Sequence, residues 1–133
     1  MCLTIDEQVT KKFLEKNKNK KEVVVWKIIK LWEEGIHSPN KYVTPYFAAD
    51  INAGWFKAKG KLERSKSFVF PGRTYIGGGT IHVFTNRRAA RLERKLIKGK
   101  IIKCKALVKD FVAAGMDNDL CFRKIWISKE ELK

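Results

Sequence analysis

Hydrophobic and polar positions alternate at several places along the chain and predict strands there. VVVWKIIKLW at 23–32 is apolar on both alternation phases, which predicts a strand covered on both faces. TIHVF at 80–84 puts its isoleucine and valine on one face and its histidine and phenylalanine on the other. IIKCKALV at 101–108 has one apolar and one lysine-bearing phase, which predicts a strand with one solvent-exposed face.

Other segments have less regular patterns. The stretch 37–54 contains Pro39 and Pro45, so irregular structure with at most one edge strand is expected. GWFKAKGKLERSKSFVFPGR at 54–73 fits one or two short exposed strands or a basic loop. KDFVAAG at 109–115 fits a short helical turn or bend, and LCFRKIWI at 120–127 predicts one last strand.

Two segments have helical periodicity. Ile5, Val9 and Phe13 predict a helix over 5–16, with TIDE at 4–7 as a capping box in which Thr4 is the cap. KNKNKKE at 16–22 then follows as a solvated tether.

The second helix is predicted over 87–98. Thr85 or Asn86 is the expected cap, and Gly99 is expected to end the helix in a left-handed conformation. Ala89, Leu92 and Leu96, flanked by Ala90 and Ile97, would form its apolar side.

A chain of 133 residues with 44% hydrophobic content fits one domain. The pattern predicts an α+β fold with a mainly antiparallel sheet and about two helices. Residues 1–22 would be a helix plus basic tether, and 23–133 the α+β core. Without an apolar run long enough to span a membrane or a secretory signal pattern, a soluble cytoplasmic protein is expected.

The composition gives little support for a metal or disulfide site. The three cysteines are odd in number and far apart, and the two histidines are 45 positions apart. No cofactor and no metal are predicted.

The net charge is +15, with a pI near 9.9. Residues 55–100 carry 13 basic and 2 acidic side chains. This excess favours a polyanionic partner, either nucleic acid or an acidic protein surface.

The second predicted helix is one candidate binding element, because it has a cation at every turn and Glu93 as its one acid. Its cations could follow a phosphate backbone, or they could simply be the solvated side of an amphipathic helix. The candidate residues here are Arg87, Arg88, Arg91, Arg94, Lys95 and Lys98.

A second candidate is the segment 55–66, where aromatic and basic residues are interleaved. Trp55 and Phe56 fit a stacking surface for unpaired bases, and they equally fit core positions at the start of a strand. The candidates carried forward from this segment are Trp55, Lys57, Lys59, Lys61 and Arg64.

Two further features invite a catalytic interpretation. GGG at 77–79 precedes a strand instead of a helix, which favours a turn or a close backbone approach over a phosphate loop. His82 is the one catalytic candidate, although no carboxylate lies near it in the sequence to orient it; a structural role is the alternative.

The chain resembles a family of small phage and prophage proteins over most of its length. The shared residues are MCL at 1–3, VWK at 25–27, SP at 38–39, GGGTIHVF at 77–84 with Ala90, DFVAAG at 110–115 and CFRKIWI at 121–127. The resemblance implies a mobile-element accessory protein, compatible with a role against host defence, and indicates no chemistry.

Residues 80–132 are also similar to half of the ADP-ribosyltransferase-like fold, particularly RNA 2'-phosphotransferases. This similarity implies that His82, Arg87 and Arg91 lie near an anionic ligand. The strand at 23–32 lacks the His or Arg that would hold a nicotinamide dinucleotide. The late acidic residue of these transferases has no clear match either, since Glu130 and Glu131 fall after the last strand. We therefore expect a descendant of this fold that binds a ligand without catalysing a reaction, in preference to an active enzyme.

The leading hypothesis is a non-enzymatic basic protein that holds nucleic acid or a nucleotide-bearing host complex. The alternatives are a transferase-like enzyme or nucleotide-binding relic, and a protein inhibitor that recognises an acidic surface.

Overall fold

A computed structural model describes residues 3–31, 42–43, 51–66, 72–95 and 99–133. These residues form an α+β domain with antiparallel sheets, as predicted. The described helices are α1 (Glu7–Asn17) and α2 (Arg87–Arg94). The described strands are β1 (Leu3–Thr4), β2 (Glu22–Leu31), β3 (Tyr42–Val43), β4 (Gly54–Lys57), β5 (Glu63–Lys66), β6 (Thr74–Gly78), β7 (Ile81–Phe84), β8 (Lys100–Leu107), β9 (Phe111–Ala114), β10 (Asp119–Phe122) and β11 (Lys124–Ile127).

The larger sheet has the strand order β4-β11-β8-β2-β7-β10-β9, with β3 also paired to β2. β10 and β11 are separated along the chain by Arg123 alone, so Phe122 and Lys124 are at most about 7 Å apart. In a flat sheet, the three strands between β10 and β11 would separate them by about 19 Å. The sheet must therefore curl strongly until its two ends approach. Arg123 joins these ends, because its carbonyl accepts from the Ala58 amide and its amide donates to the Asp110 carbonyl.

The inner face of the curled sheet encloses the main hydrophobic core. β2, β8, β7, β10 and β11 contribute alternate aliphatic or aromatic side chains to it, as their period of two requires. Val9 and Phe13 of α1 pack against the same core, and Phe13 contacts the rings of Phe111 and Phe122. The N-terminal segment therefore helps to enclose the core.

The outer face of the sheet is covered unevenly. Ala89 and Ala90 of α2 pack on Ile28 and Phe84 at the middle of the sheet. The small sheet β1-β6-β5 packs over the β9 and β10 end, where Ile76 meets Cys121. The outer face of β4, β11, β8 and the first half of β2 retains exposed side chains.

This arrangement corrects the prediction that β2 is covered on both faces. Val25 and Ile29 are buried on the inner face and Ile28 is buried on the outer face, but Val24 is 45% exposed. α2 covers only the second half of the strand, because it contacts the outer face at Ile28.

Helix α1 begins two residues later than predicted. Its cap is Asp6, whose Oδ1 accepts from the amides of Gln8 and Val9, whereas Thr4 belongs to β1. The capping-box prediction for Thr4 is therefore wrong, because pairing with β6 holds Thr4 in an extended strand.

Helix α2 is capped by Asn86, one of the two predicted residues. The predicted apolar side is confirmed at Ala89 and Ala90, which face the sheet, and is wrong at Leu92, which is 59% exposed. Leu96 and Ile97 lie outside the described residues. Gly99 does not have a positive φ. It is instead required by close packing, since a Cβ there would lie 2.5 Å from the Ile29 carbonyl oxygen.

Two predictions near the C-terminus also change. The short helical turn predicted within 109–115 is present as a 3-10 turn over Val108–Asp110, but the residues after it form strand β9, which was not predicted. The single strand predicted over 120–127 is divided into β10 and β11, which pair with different neighbours. No helix within the described ranges is long and apolar enough to cross a membrane.

Candidate nucleic-acid interface

Four residues form a row across the exposed outer face of the large sheet. Trp55 of β4 lies opposite Trp126 of β11, Trp126 lies opposite Lys105 of β8, and Lys105 lies opposite Val24 of β2. Side chains of directly paired residues point to the same face of a sheet, so the four form one continuous strip. Trp55 is 46% exposed and Trp126 is 40% exposed, which is high for such large apolar side chains.

The two indole rings contact each other edge to face. Their centroids are 5.4 Å apart and their planes are inclined by 70°. The Lys124 ammonium lies 4.9 Å from the centroid of the Trp55 ring. Two inclined rings beside a cation provide an aromatic surface next to a positive charge, which is the pairing that base stacking and phosphate binding require.

The strip continues towards α2 through Trp26. Trp26 lies opposite Lys103 on the outer face, and the Arg87 guanidinium is 5.9 Å from the Trp26 ring centroid. Lys57 lies opposite Lys124 on the other side of the row. We call this area the tryptophan platform; it consists of Val24, Trp26, Trp55, Lys57, Lys103, Lys105, Lys124 and Trp126. Trp26 is partly buried against α2, whereas Trp55 and Trp126 are exposed.

The charge on the platform is strongly one-sided. Its four lysines are joined by Arg87 at the border with α2, while Glu22 is a nearby acid, 4.0 Å from the Lys105 ammonium. Both members of that pair are well exposed, so solvent screens their attraction. The platform therefore combines three indole rings with a net positive charge.

The predicted helix residues lie beside the platform. Arg87, Arg88, Arg91, Arg94 and Lys95 are all exposed on or directly after α2. Lys98 lies outside the described residues. α2 packs on the same outer face that carries the platform, so these cations extend its positive surface.

The predicted residues of the segment 55–66 are divided between two sheets. Trp55 and Lys57 belong to the platform, where Trp55 is exposed, whereas Phe56 packs against the core as the second interpretation predicted. Lys59 and Lys61 are exposed in the connection that follows β4. Arg64 is in β5 of the small sheet and is not part of the platform.

Sequence reasoning missed Trp26, Trp126, Lys103, Lys105 and Lys124 as members of the site. Of these, only Lys103 and Lys105 were at positions that the sequence pattern predicted to be exposed. What it could not indicate was the strand order and register that place residues 24, 55, 105 and 126 side by side.

His82 has a carboxylate partner that its sequence neighbourhood did not predict. Its Nε2 is 3.0 Å from Oδ2 of Asp119, on the adjacent strand β10. Burial acts to raise the pKa of Asp119, but the hydrogen bond and charge of His82 and the backbone amides of Asp117 and Asp119 lower that pKa below its usual value of 3.8.

The location of His82 favours a structural role. Its side chain is only 8% exposed, and its ring packs edge to face on Phe84. Asp119 also accepts from the Asp117 amide, so the pair ties the 115–119 turn to β7. The hydroxyl and the backbone amide of Thr85, directly after β7, both donate to the Asn118 carbonyl in the same turn.

The cysteine thiol on the strand next to His82 is not activated. Cys121 lies directly opposite His82, but burial raises the pKa of its thiol to about 11. Burial also raises the pKa of Cys104 to about 12. Within the described part of the chain, no three His, Cys, Asp or Glu side chains are grouped so that they could hold a metal ion.

The glycines at 77–79 allow a close backbone approach, which is one of the two roles predicted for them. Gly79 has a φ of +77°, and a Cβ there would lie 2.3 Å from the Lys61 carbonyl oxygen. The Arg123 guanidinium donates to the carbonyls of Gly79 and Gly60, which fixes the β4–β5 connection against β6.

Comparisons with protein-family models, curated proteins and solved structures found no match. The two resemblances seen in the sequence therefore stay predictions, and the case for a function depends on the geometry of the platform.

Proposed function

We propose that the protein binds single-stranded nucleic acid on the tryptophan platform. The observation that carries the proposal is the strip of exposed Trp55, Trp126 and Lys105 on adjacent strands. Unpaired bases stack on aromatic rings, and lysines hold the phosphates between them. A duplex hides its base faces inside its own stack, so indole rings on an open sheet favour a single strand.

The lysines argue against an apolar partner for this face. Exposed tryptophans alone would be typical of a protein interface. Here Lys105 lies directly opposite Trp126, and the Lys124 ammonium lies over the Trp55 ring. The net charge of +15 attracts the same class of ligand over longer distances.

The test is binding of a fluorescent twelve-residue oligothymidylate or oligouridylate, followed by anisotropy. The single variants Trp55→Ala and Trp126→Ala should each weaken binding by about 1–3 kcal/mol, which is the usual value for one stacked base. Leu14→Ala is the matched control, because Leu14 is an equally exposed apolar side chain on α1.

Competition separates this proposal from the alternatives. Unlabelled single strand should displace the probe, whereas duplex of the same length and polyglutamate should do so poorly. If polyglutamate competes as well as the oligonucleotide, the partner is an acidic protein surface. If the double variant Trp55→Ala/Trp126→Ala binds as well as the native protein, the platform is not the site.

The geometry favours binding over catalysis. The transferase-like alternative depends on His82, whose ring is nearly closed off from solvent and is engaged by Asp119. A location in the host cytoplasm and a phage accessory role are consistent with a nucleic-acid ligand, and both stay predictions.

A further inference from the structure

The tryptophan platform is open in one direction and bounded in the other. Two residues beyond Trp26 and Lys103, the outer face of β2 and β8 continues as Ile28 and Ile101, which pack under α2. In the opposite direction along β2, the outer face ends at Glu22, whose negative charge repels phosphate. A ligand lying parallel to the β-strands would meet α2 at one end and a carboxylate at the other.

Across the strands, the surface is continuous. The row runs from β2 through β8 and β11 to β4, where the Lys124 ammonium lies over the Trp55 ring. At the other end, Arg87 over Trp26 joins the platform to the start of α2. Cations are therefore present on both sides of the tryptophans along this line.

We infer that a bound strand crosses the β-strands between α2 and β4, with its bases on the platform and only its backbone on α2. This inference rests on the proposed function. Helix α2, RRAARLER, has no aromatic side chain on which a base could stack, but it presents exposed arginines at 87, 91 and 94. Their guanidinium groups are well suited to bind phosphate oxygens, and α2 offers no indole or phenyl ring for a base.

The dimensions give the number of bases. Three inter-strand spacings separate β2 from β4, about 14 Å in all. Three indole rings lie within this distance, and a base stacked on an outer ring can carry a neighbouring base stacked on it, so the platform accommodates about four bases. The arginines at 87 and 94 are about 10 Å apart along the helix, which is enough to contact two or three further phosphates.

The experiment compares two eight-residue oligothymidylates that each carry four abasic residues. In one, the four abasic residues are central; in the other, two lie at each end, so four thymines remain in the middle. The second oligonucleotide should bind within about threefold of the intact octamer. The first should bind at least tenfold more weakly, because it has no central bases to stack on the aromatic side chains.

Charge reversal on α2 tests the path of the backbone. Arg91→Glu/Arg94→Glu should reduce the dependence of log Kd on log salt by about 0.7 for each phosphate that α2 no longer neutralises. The matched control is Lys11→Glu/Lys12→Glu, which makes the same charge change on α1, where both lysines are exposed. Its salt dependence should stay near that of the native protein.

The outcomes separate this inference from the proposed function. If the intact octamer does not bind, both fail. If the intact octamer binds and Trp55→Ala weakens it, but the two abasic oligonucleotides bind equally, only the inference is overturned. An unchanged salt dependence in the α2 variant likewise shows that the strand does not reach α2.

Discussion

Lys27 is the residue whose position is least expected from its chemistry. It lies on the inner face of β2 between Val25 and Ile29, is 5% exposed, and donates from Nζ to the His82 carbonyl. Burial lowers the pKa of Lys27 to about 8, although the nearby Cys104 and Cys121 act to raise it. The fold therefore tolerates a poorly solvated ammonium inside its core.

The first prediction concerns the pH dependence of stability. The pKa of Lys27 is near 10.5 when unfolded and about 8 when folded, so between these values the unfolded chain binds more protons. The contribution of Lys27 to the free energy of unfolding therefore rises with pH across that window, by up to about 3 kcal/mol. The variant Lys27→Met lacks this contribution. The difference in unfolding free energy between this variant and the native protein should therefore change by that amount between pH 7.5 and 10.5. Urea titrations at several pH values measure this difference. A pH-independent difference would contradict the assignment.

The second prediction concerns the His82–Asp119 pair. The lowered pKa of Asp119 means that its contribution to stability is present above pH 3.8 and is lost as the pH falls through the folded value. Asp119→Asn should therefore reduce the unfolding free energy at pH 7 by about 1–3 kcal/mol. Asp117→Asn is the matched control, because Asp117 is exposed in the same turn. Equal losses in the two variants would mean that the pair does not anchor the turn.

At the scale of elements, the third prediction concerns the start of α2. Asn86 caps the helix by accepting from the Ala89 amide at 2.8 Å. Asn86→Ala should cost about 1 kcal/mol of stability, because that amide loses its partner. Arg88→Ala, at an exposed position inside the helix, should cost much less. Thermal unfolding followed by circular dichroism distinguishes the two, and equal effects would exclude a capping role.

Sequence reasoning predicted elements better than it predicted their partners. The alternation at 101–108 correctly indicated that Lys103 and Lys105 are exposed, and the basic helix starts at its predicted cap. The division of 120–127 at Arg123 was missed, although the core-facing positions change phase there, from Leu120 and Phe122 to Ile125 and Ile127. The pattern does not show that the two halves pair with different neighbours. Trp126 therefore looked like an ordinary strand residue, although pairing with Trp55 and Lys105 makes it central to the candidate site.

Over the whole molecule, the net charge of +15 leads to a fourth prediction. Salt screens the mutual repulsion of the cations and so should stabilise the fold, while the same screening and counterion release weaken nucleic-acid binding. Raising sodium chloride from 50 to 500 mM should therefore raise Tm while Kd for oligothymidylate also rises. Tm comes from calorimetry and Kd from anisotropy on the same protein. A falling Tm would show that attractive ion pairs outweigh the repulsion.

The one-residue connection between β10 and β11 also affects how the chain is made. β2, β7 and β8 can pair as soon as they leave the ribosome, but β7 and β8 then present open edges, since their outer partners are β10 and β11. Both edges are covered by the same nine-residue stretch, 119–127, which is synthesised after them. A nascent chain therefore carries two unprotected edges at once, and both become covered when that stretch emerges.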